Sequence, residues 1–220
     1  MSRLVELSHP LEDGMAAYPG LPDARIGAIL DHDASRDRYE GRAEFYLGCI
    51  EIAANTGTYL DAPFHRHRDG DDLATLPLAA VAELPGFVLD HDPASGRAIT
   101  LEDRDLTAAA GRAVLVRTGW DARWGAEGYW TDRPYMTAGA TERLVASGAR
   151  LVGVDFANVD DLSDLARPVH TGLLGAGIPI VENLRGLEGL PADGFTFSAP
   201  PLAIRRGATT PVRAYAEIPT

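Results

Sequence analysis

The stretch RLVGVDFANV (residues 150–159) is flanked by two segments with helical periodicity, TAGATERLVASGAR (137–150) and DLARPVHTGLLGAG (164–177). Its β-branched, apolar first half favours a buried strand. Two further apolar stretches, AVLVRTGW (113–120) and IPIVENL (178–184), extend the alternation of strand and helix in both directions. Because strands joined through helices usually run parallel, this region predicts a partly parallel central sheet.

The other strand-like segments lie mainly in the first half of the chain and near its end, and many are bounded by Gly or Pro. They are RLVELS (3–8), ARIGAIL (24–30), AEFYLGCIEIAA (43–54), GFVLDH (86–91), GFTFSAPPLAI (194–204) and PVRAYAEI (211–218). A further helix is predicted over TLEDRDLTAAAGR (100–112), with Thr100 as its N-cap. No repeat or linker interrupts the sequence, which predicts one α/β domain over residues 1–220.

Composition narrows the classes of partner. The chain has 220 residues, 45% of them hydrophobic and 24% charged, as in ordinary globular proteins. A formal net charge of −12 argues against nucleic-acid and anionic-membrane partners, since both require basic surface. The sequence shows neither a signal-peptide pattern nor an apolar run of about 20 residues, so the cytoplasm is the expected location. The single cysteine, Cys49, is expected to be buried.

Residues able to carry chemistry cluster in NTGTYLDAPFHRHRDG (55–70). Asp61 and His65 are separated by a turn that Pro63 stiffens, and His67 follows closely. Carboxylate oxygens and imidazole nitrogens are common metal ligands, and Thr56 and Thr58 are candidates to hydrogen-bond them. The same residue types also occur in polar loops, where they satisfy turns, so this cluster alone leaves both interpretations open.

A second pair of candidates lies far along the chain. His170 is in the helical segment 164–177, and Glu182 interrupts the apolar strand 178–184. A carboxylate buried in such a strand needs a cation or a protonated histidine as partner, because burial without a partner is costly. The alternative is that Glu182 points outward at the end of the strand. The sequence contains no GxSxG elbow, Walker A loop, HExxH or GxGxxG after a strand.

Together with stretches along the whole chain, these residues resemble the putative cyclase family, which includes bacterial kynurenine formamidase and isatin hydrolase. The family pattern H-x-G-T-H-x-D-x-P-x-H is matched by residues 55–65, with Asn55 and Tyr59 in place of the first two histidines. The other matching stretches are ELSHPLEDGMAAYPG (6–20), LVRTGWD (115–121), LVGVDFANVDDL (151–162), PVHTGLLGAGIPIVENLRGL (168–187) and PVRAYAEI (211–218). The resemblance implies a swivelling β/β/α domain with a mixed central sheet, assembled as a dimer or larger homo-oligomer.

The resemblance also implies a metal-dependent hydrolase in which water attacks an amide, a formamide or a strained ring. The residues that match the family's metal ligands are Asp61, His170 and Glu182. His65 matches the histidine to which the family assigns acid–base work. Since two imidazoles are missing, we expect one ion rather than two. The candidates to complete its coordination are His65, His67 and Asn55. An oxygen-rich ligand set shifts the metal preference of a site from zinc toward manganese or magnesium.

Three functions remain open at this point. The first is a mononuclear metal hydrolase of a small amide, N-formyl or cyclic lactam or lactone substrate, with His65 transferring protons and Tyr59 orienting the substrate carbonyl. The second is a cyclase, lyase or isomerase that binds no metal, with His65 or His170 as base and Tyr59 as hydrogen-bond donor. The third is a non-catalytic relative that only binds a small molecule.

Several other residues are candidates for lesser roles. Those proposed to contact substrate are Tyr18, Pro19, Phe64 and Trp120, although Trp120 also fits core packing. His9 is interpreted as structural. Asp155 and Asp160 are expected to make turn and cap contacts, with a role in the pocket as the alternative.

Overall fold

The computed structural model describes residues 2–219, which form two compact units, one of residues 2–9 and 58–219 and one of residues 10–57. The strands in chain order are β1 (Ser2–Glu6), β2 (Arg25–Leu30), β3 (Leu47–Glu51), β4 (Tyr59–Asp61), β5 (Leu84–Asp90), β6 (Ala98–Ile99), β7 (Ala113–Arg117), β8 (Tyr135–Met136), β9 (Leu151–Val154), β10 (Ile180–Glu182), β11 (Thr196–Ser198), β12 (Thr209–Pro211) and β13 (Tyr215–Pro219). The helices are α1 (His32–Arg38), α2 (Ala138–Ser147) and α3 (Pro168–Gly175).

The larger unit is built on a nine-stranded sheet of order β1-β13-β11-β5-β7-β9-β10-β4-β12. Strands β5, β7, β9 and β10 run parallel to one another at its centre, and antiparallel pairs flank them on both sides. The predicted mixed central sheet is therefore confirmed. A separate two-stranded ladder joins β6 to β8.

Two apolar clusters cover opposite faces of this sheet, because successive side chains of a strand point in opposite directions. Val114 and Val116 lie in one cluster, which also contains Leu144 of α2 and Leu173 of α3. Leu115, between the two valines, lies in the other cluster. The run of apolar residues in β7 follows from burial on both faces.

The two helices of the larger unit have recognisable ends. Helix α2 begins after Thr137, whose side chain accepts a hydrogen bond from the backbone N–H of Ala140, and Gly148 ends it at φ +77°. Helix α3 starts at Pro168, a position where the missing N–H removes no helical hydrogen bond. The prediction for 137–150 is confirmed, whereas the segment 164–177 becomes helical only from Pro168.

The predicted helix over residues 100–112 is wrong. Leu101 has φ +59°, a left-handed conformation that stops a helix at its first turn, and only Thr107–Ala109 form a short 3-10 turn. Asp105 competes with helical hydrogen bonding, because its side chain accepts from both the backbone N–H and the hydroxyl of Thr107.

The smaller unit consists of the antiparallel pair β2 and β3 and the short helix α1, which Asp31 caps. Cys49 on β3 is exposed, so the expectation that it is buried is wrong. A two-stranded ladder has no second sheet to cover both faces, and for this reason an apolar run here does not imply burial. Among residues 2–219, no helix combines the length and the apolar character needed to cross a bilayer.

Candidate functional site

The register of three short strands brings four polar side chains to one face of the sheet. Tyr59 and Asp61 lie on the same face of β4, since they are two residues apart. Glu182 on β10 pairs with Tyr59, and Thr209 on β12 pairs with Asp61 on the other side of β4. Directly opposed residues share a face of the sheet. The two carboxylates therefore meet although 121 residues separate them, from 61 to 182.

His170 reaches this face from the first turn of α3. Asp160 holds it there, with one carboxylate oxygen accepting from the backbone N–H of Val169 at 2.7 Å and the other lying 2.5 Å from His170 Nδ1. Because a carboxylate can only accept, Nδ1 carries a proton, and the neutral ring keeps its lone pair on Nε2. Asp160 therefore both caps the helix and orients the imidazole.

Three donor atoms converge at the centre of the site. His170 Nε2 lies 3.7 Å from Asp61 Oδ2 and 3.4 Å from Glu182 Oε1. All three residues are buried, and one ligand atom from each lies within 4.8 Å of the others. Among the hydrogen bonds of residues 2–219, none is made by Asp61 Oδ2, although that oxygen is fully buried.

This arrangement fits a small divalent cation. For ligand bonds of about 2.1 Å at tetrahedral angles, neighbouring donor atoms lie roughly 3.4 Å apart. The two distances from His170 Nε2, 3.4 and 3.7 Å, are close to that spacing. A buried carboxylate oxygen without a hydrogen bond is costly unless a cation balances it, and Asp61 Oδ2 is such an atom.

The local electrostatics likewise favour a positive charge at this point. Burial alone lowers the pKa of His170, but the nearby carboxylates of Asp160, Asp61 and Glu182 outweigh burial and raise that pKa well above 6.5. Burial alone raises the pKa of Glu182, yet the hydrogen bond and charge of His170, with the bonds from Tyr59 and Val159, lower it below 4.5. The carboxylates are therefore organised around a cation, either a proton on His170 or a metal ion.

Tyr59 supports the glutamate. Its side chain is 2% exposed, and its hydroxyl donates a hydrogen bond to Glu182 Oε2. Glu182 also accepts from the backbone N–H groups of Asn158 at 3.0 Å and Val159 at 2.8 Å. The phenol thus helps to fix the carboxylate, and a contact of Tyr59 with a substrate carbonyl stays a prediction.

His65 lies at the accessible edge of the site. It ends the 3-10 turn Pro63–His65, its side chain is 32% exposed, and its ring centroid is 5.6 Å from that of His170. Its Nδ1 is 3.3 Å from Thr209 Oγ1, which in turn donates to Asp61 Oδ1 at 2.5 Å. A side chain that is both anchored and accessible suits proton transfer.

His67 and Trp120, both in the larger unit, do not join the donor cluster. His67 turns its Nε2 to the backbone carbonyl of Thr171 at 3.0 Å. Trp120 is buried in the core, with its indole N–H donating to the carbonyl of Tyr129, and Phe64 is half-buried beside His65. The residues that lie in the smaller unit are Asn55, Tyr18 and Pro19. Their roles stay predictions.

Two other buried titratable groups support the fold. Asp155 accepts from the backbone N–H and hydroxyl of Thr118, and burial raises its pKa to about 6. This is the turn contact that the sequence predicted. His9 stacks on Trp124 with ring centroids 3.9 Å apart, and burial, with a smaller effect of Arg185, lowers its pKa to about 4. A neutral, stacked imidazole agrees with the structural interpretation of His9.

For two residues of the site, Asp160 and Thr209, the sequence does not indicate the side chain that each one contacts. Asp160 was expected to make turn and cap contacts, which it does, but its bond to His170 Nδ1 depends on how the loop before α3 folds back. Thr209 lies 148 residues from Asp61 and has an ordinary strand composition around it. Only the pairing of β4 with β12 reveals that its hydroxyl belongs to the site.

Comparison with known proteins places the chain among a group of related enzymes. The family model described as "Putative cyclase" matches residues 5–161. The kynurenine formamidase of Maricaulis maris is 32% identical over 168 residues, which cover 75% of this chain and 77% of that protein. The kynurenine formamidase of Bacillus cytotoxicus is 27% identical over 213 residues, which cover 97% of this chain and 96% of that protein.

Solved structures show the same fold. Isatin hydrolase A from Labrenzia aggregata, bound to benzyl benzoate, superposes with a TM-score of 0.83 at 27% identity, covering 99% of this chain and 94% of that one. An isatin hydrolase bound to the product analogue thioisatinate has a TM-score of 0.85 at 24% identity, covering 100% of this chain and 93% of that one. The expected mixed α/β fold is confirmed.

Proposed function

The chain belongs to the cyclase family, and on that premise we propose that it is a metal-dependent hydrolase that opens a small amide, N-formyl or cyclic lactam or lactone substrate. Its class is that of amidohydrolases of the arylformamidase and cyclase type. The relatives named kynurenine formamidase support an amide or N-formyl substrate, and the isatin hydrolase structures support a ring.

The observation that carries this proposal is the buried convergence of Asp61 Oδ2, His170 Nε2 and Glu182 Oε1. Burying two carboxylates without a cation would be strongly unfavourable. The hydrogen bond from Nδ1 to Asp160 leaves His170 Nε2 as the ring nitrogen that faces both carboxylates. Three protein ligands with a further position for water are typical of catalytic rather than structural sites.

We propose that the site holds one ion. Among residues 2–219, Asp61, His170 and Glu182 form the only group of three or more His, Cys, Asp or Glu ligands that could hold a metal. Tyr59 stands where the family pattern has a histidine, and its hydroxyl is bonded to Glu182. Because its hydroxyl donates to Glu182, Tyr59 orients a ligand of the first ion and is not a ligand of a second ion. The ligand set of two carboxylates and one imidazole suits manganese, zinc or magnesium.

Different residues of the site have different roles in the proposed hydrolysis. When bound, a divalent ion lowers the pKa of a water molecule from about 15.7 toward 7 and polarises the carbonyl that is attacked. His65 would accept a proton from the attacking water and return it to the leaving nitrogen or oxygen. Asp160 keeps His170 Nε2 turned to the centre of the site, and Tyr59 keeps Glu182 in place. The solvent-accessible edge of His65 is where the substrate would approach.

The metal-independent alternative has weaker support. It requires Tyr59 to donate a hydrogen bond to an oxygen of the substrate, whereas its hydroxyl donates to Glu182. Of its two candidate bases, His65 and His170, the second is disfavoured, because three carboxylates raise the pKa of His170 well above 6.5. A base that holds its proton this firmly is poorly matched to proton abstraction near neutral pH.

Removal and return of metal tests the proposal. Protein stripped with a strong chelator should lose hydrolysis of N-formyl anilines, isatin-type lactams and aryl lactones. One equivalent of manganese, zinc or magnesium should restore the hydrolysis of at least one of these substrates. The Asp69→Asn variant, which changes an exposed loop carboxylate, should respond as the parent does. Full activity in the chelator, with no bound metal, would support the metal-independent alternative instead.

Replacing Asp160 with asparagine should weaken metal affinity about 10- to 100-fold, the usual effect of losing a partner that orients a histidine ligand. Asparagine can still cap α3 through its carbonyl oxygen, so the fold is retained. With that oxygen on the backbone N–H of Val169, the amide NH2 faces His170 Nδ1 and cannot accept from it, so the proton is no longer held on Nδ1 and Nε2 becomes a poorer ligand. Competition with a chromophoric chelator measures the affinity.

The matched control for this change is Asp161→Asn, since the neighbouring carboxylate accepts from the backbone N–H of Ser163. We expect its metal affinity to equal that of the parent. An Asp160→Asn variant that binds metal as tightly as the parent would show that this contact does not tune the site.

A further inference from the structure

We infer that Thr209 is a positioning residue that sets the tautomer of His65, so that Nε2 is the nitrogen that accepts a proton. Its kinetic consequence rests on the proposed function, whereas its structural part concerns hydrogen bonds alone. Thr209 lies on β12 directly opposite Asp61, and it is 5% exposed. Its hydroxyl contacts two groups of the site, Asp61 Oδ1 at 2.5 Å and His65 Nδ1 at 3.3 Å.

The number of available protons decides the direction of each bond. An ionised carboxylate can only accept, and a threonine hydroxyl has a single proton to donate. Since Thr209 donates that proton to Asp61, its remaining capacity toward His65 is that of an acceptor. The contact at 3.3 Å is then a bond from Nδ1–H of His65 to Thr209 Oγ1. The neutral ring therefore carries its proton on Nδ1 and its lone pair on Nε2.

Among the hydrogen bonds of residues 2–219, the contact with Thr209 is the one made by the imidazole of His65. Asp61 Oδ1 lies 3.8 Å from His65 Nδ1, which is too far for a hydrogen bond. Hydrogen bonds therefore connect the carboxylate to the imidazole through Thr209, which is the middle member of a carboxylate–hydroxyl–imidazole series. These two hydrogen bonds also link Asp61, a proposed metal ligand, to His65, the proposed acid–base residue.

Nitrogen NMR on metal-free protein tests the tautomer without reference to activity. In an unconstrained histidine the neutral ring carries its proton mainly on Nε2. On the neutral ring, which is identified by its nitrogen chemical shifts, we expect the protonated nitrogen of His65 in the parent to be Nδ1. The resonance is assigned by its loss in His65→Gln. Thr209→Val, which keeps the β-branched shape, should revert to the Nε2–H form, and Thr209→Ser should restore Nδ1–H.

The kinetic measurement uses protein loaded with metal, whose content is verified in each variant. Thr209→Val should lower kcat about tenfold with little change in KM, as expected for an interaction that matters in proton transfer. Thr209→Ser should recover most of the loss. The control is Thr210→Val, because Thr210 is the next residue of β12 and points to the opposite face of the sheet.

Three results would overturn the inference: an Nε2–H tautomer in the parent, an unchanged tautomer in Thr209→Val, or an unchanged kcat in that variant at full metal content. Failure of the proposed function looks different. A parent that hydrolyses nothing in the presence of metal would contradict the hydrolase, while the nitrogen resonances would still decide the role of Thr209.

Discussion

Replacing Asp61 with asparagine should abolish stoichiometric metal binding and lower kcat/KM by roughly a thousandfold or more, a loss of about 4 kcal/mol of transition-state stabilisation. The change is isosteric, so the packing around β4 is preserved. Asparagine removes one negative charge and offers a single carbonyl oxygen, which must serve either Thr209 or the metal. In the parent, Oδ1 accepts from Thr209 while Oδ2 has no hydrogen bond among the described residues and faces His170.

Mass spectrometry of protein purified without an affinity tag measures the metal content, and circular dichroism verifies the fold. Near-stoichiometric metal in the parent and none in Asp61→Asn is the expected result. Asp69→Asn is again the matched control, because it removes the same charge from an exposed loop. A variant that keeps both metal and activity would exclude Asp61 as a ligand.

The second large effect is expected from His65→Gln, which should lower kcat about 10²- to 10⁴-fold while metal content stays unchanged. Glutamine preserves the polarity and approximate size of the side chain but cannot exchange a proton near neutral pH. His65 is outside the group of three buried ligands, and its ring is partly exposed at the edge of the site. Loss of activity without loss of metal would therefore separate proton transfer from metal binding.

His67→Gln is the matched comparison, since this histidine follows two residues later. Its Nε2 contacts the carbonyl of Thr171 at the side of α3, so we expect parental metal content and activity. If His65→Gln lost its metal, His65 would be a ligand rather than an acid–base residue. If His67→Gln lost it instead, the coordination would include His67, as the sequence had left open.

Local patterns in the sequence were sufficient to predict the strands and the helix at the centre of the fold. The apolar runs of β7, β9 and β10 and the periodicity of α2 predicted a partly parallel sheet, and the structure confirms it. The predictions that failed were based on local composition alone, which the tertiary structure overrode. The segment 100–112 has helical composition but a left-handed Leu101, and the apolar run around Cys49 lies in a two-stranded ladder in which Cys49 is exposed.

The sequence alone determined which residue types are available for chemistry: Asp61, His65, His170 and Glu182 were all identified from their patterns and from family resemblance. Only the tertiary structure decided how their atoms are used. Pairing of β4 with β10 and β12 places Tyr59 on Glu182 and Thr209 on Asp61, and the loop before α3 brings Asp160 to His170 Nδ1. These contacts join residues far apart in the chain. Strand register and the direction of each hydrogen bond depend on such long-range pairing, which no local pattern encodes.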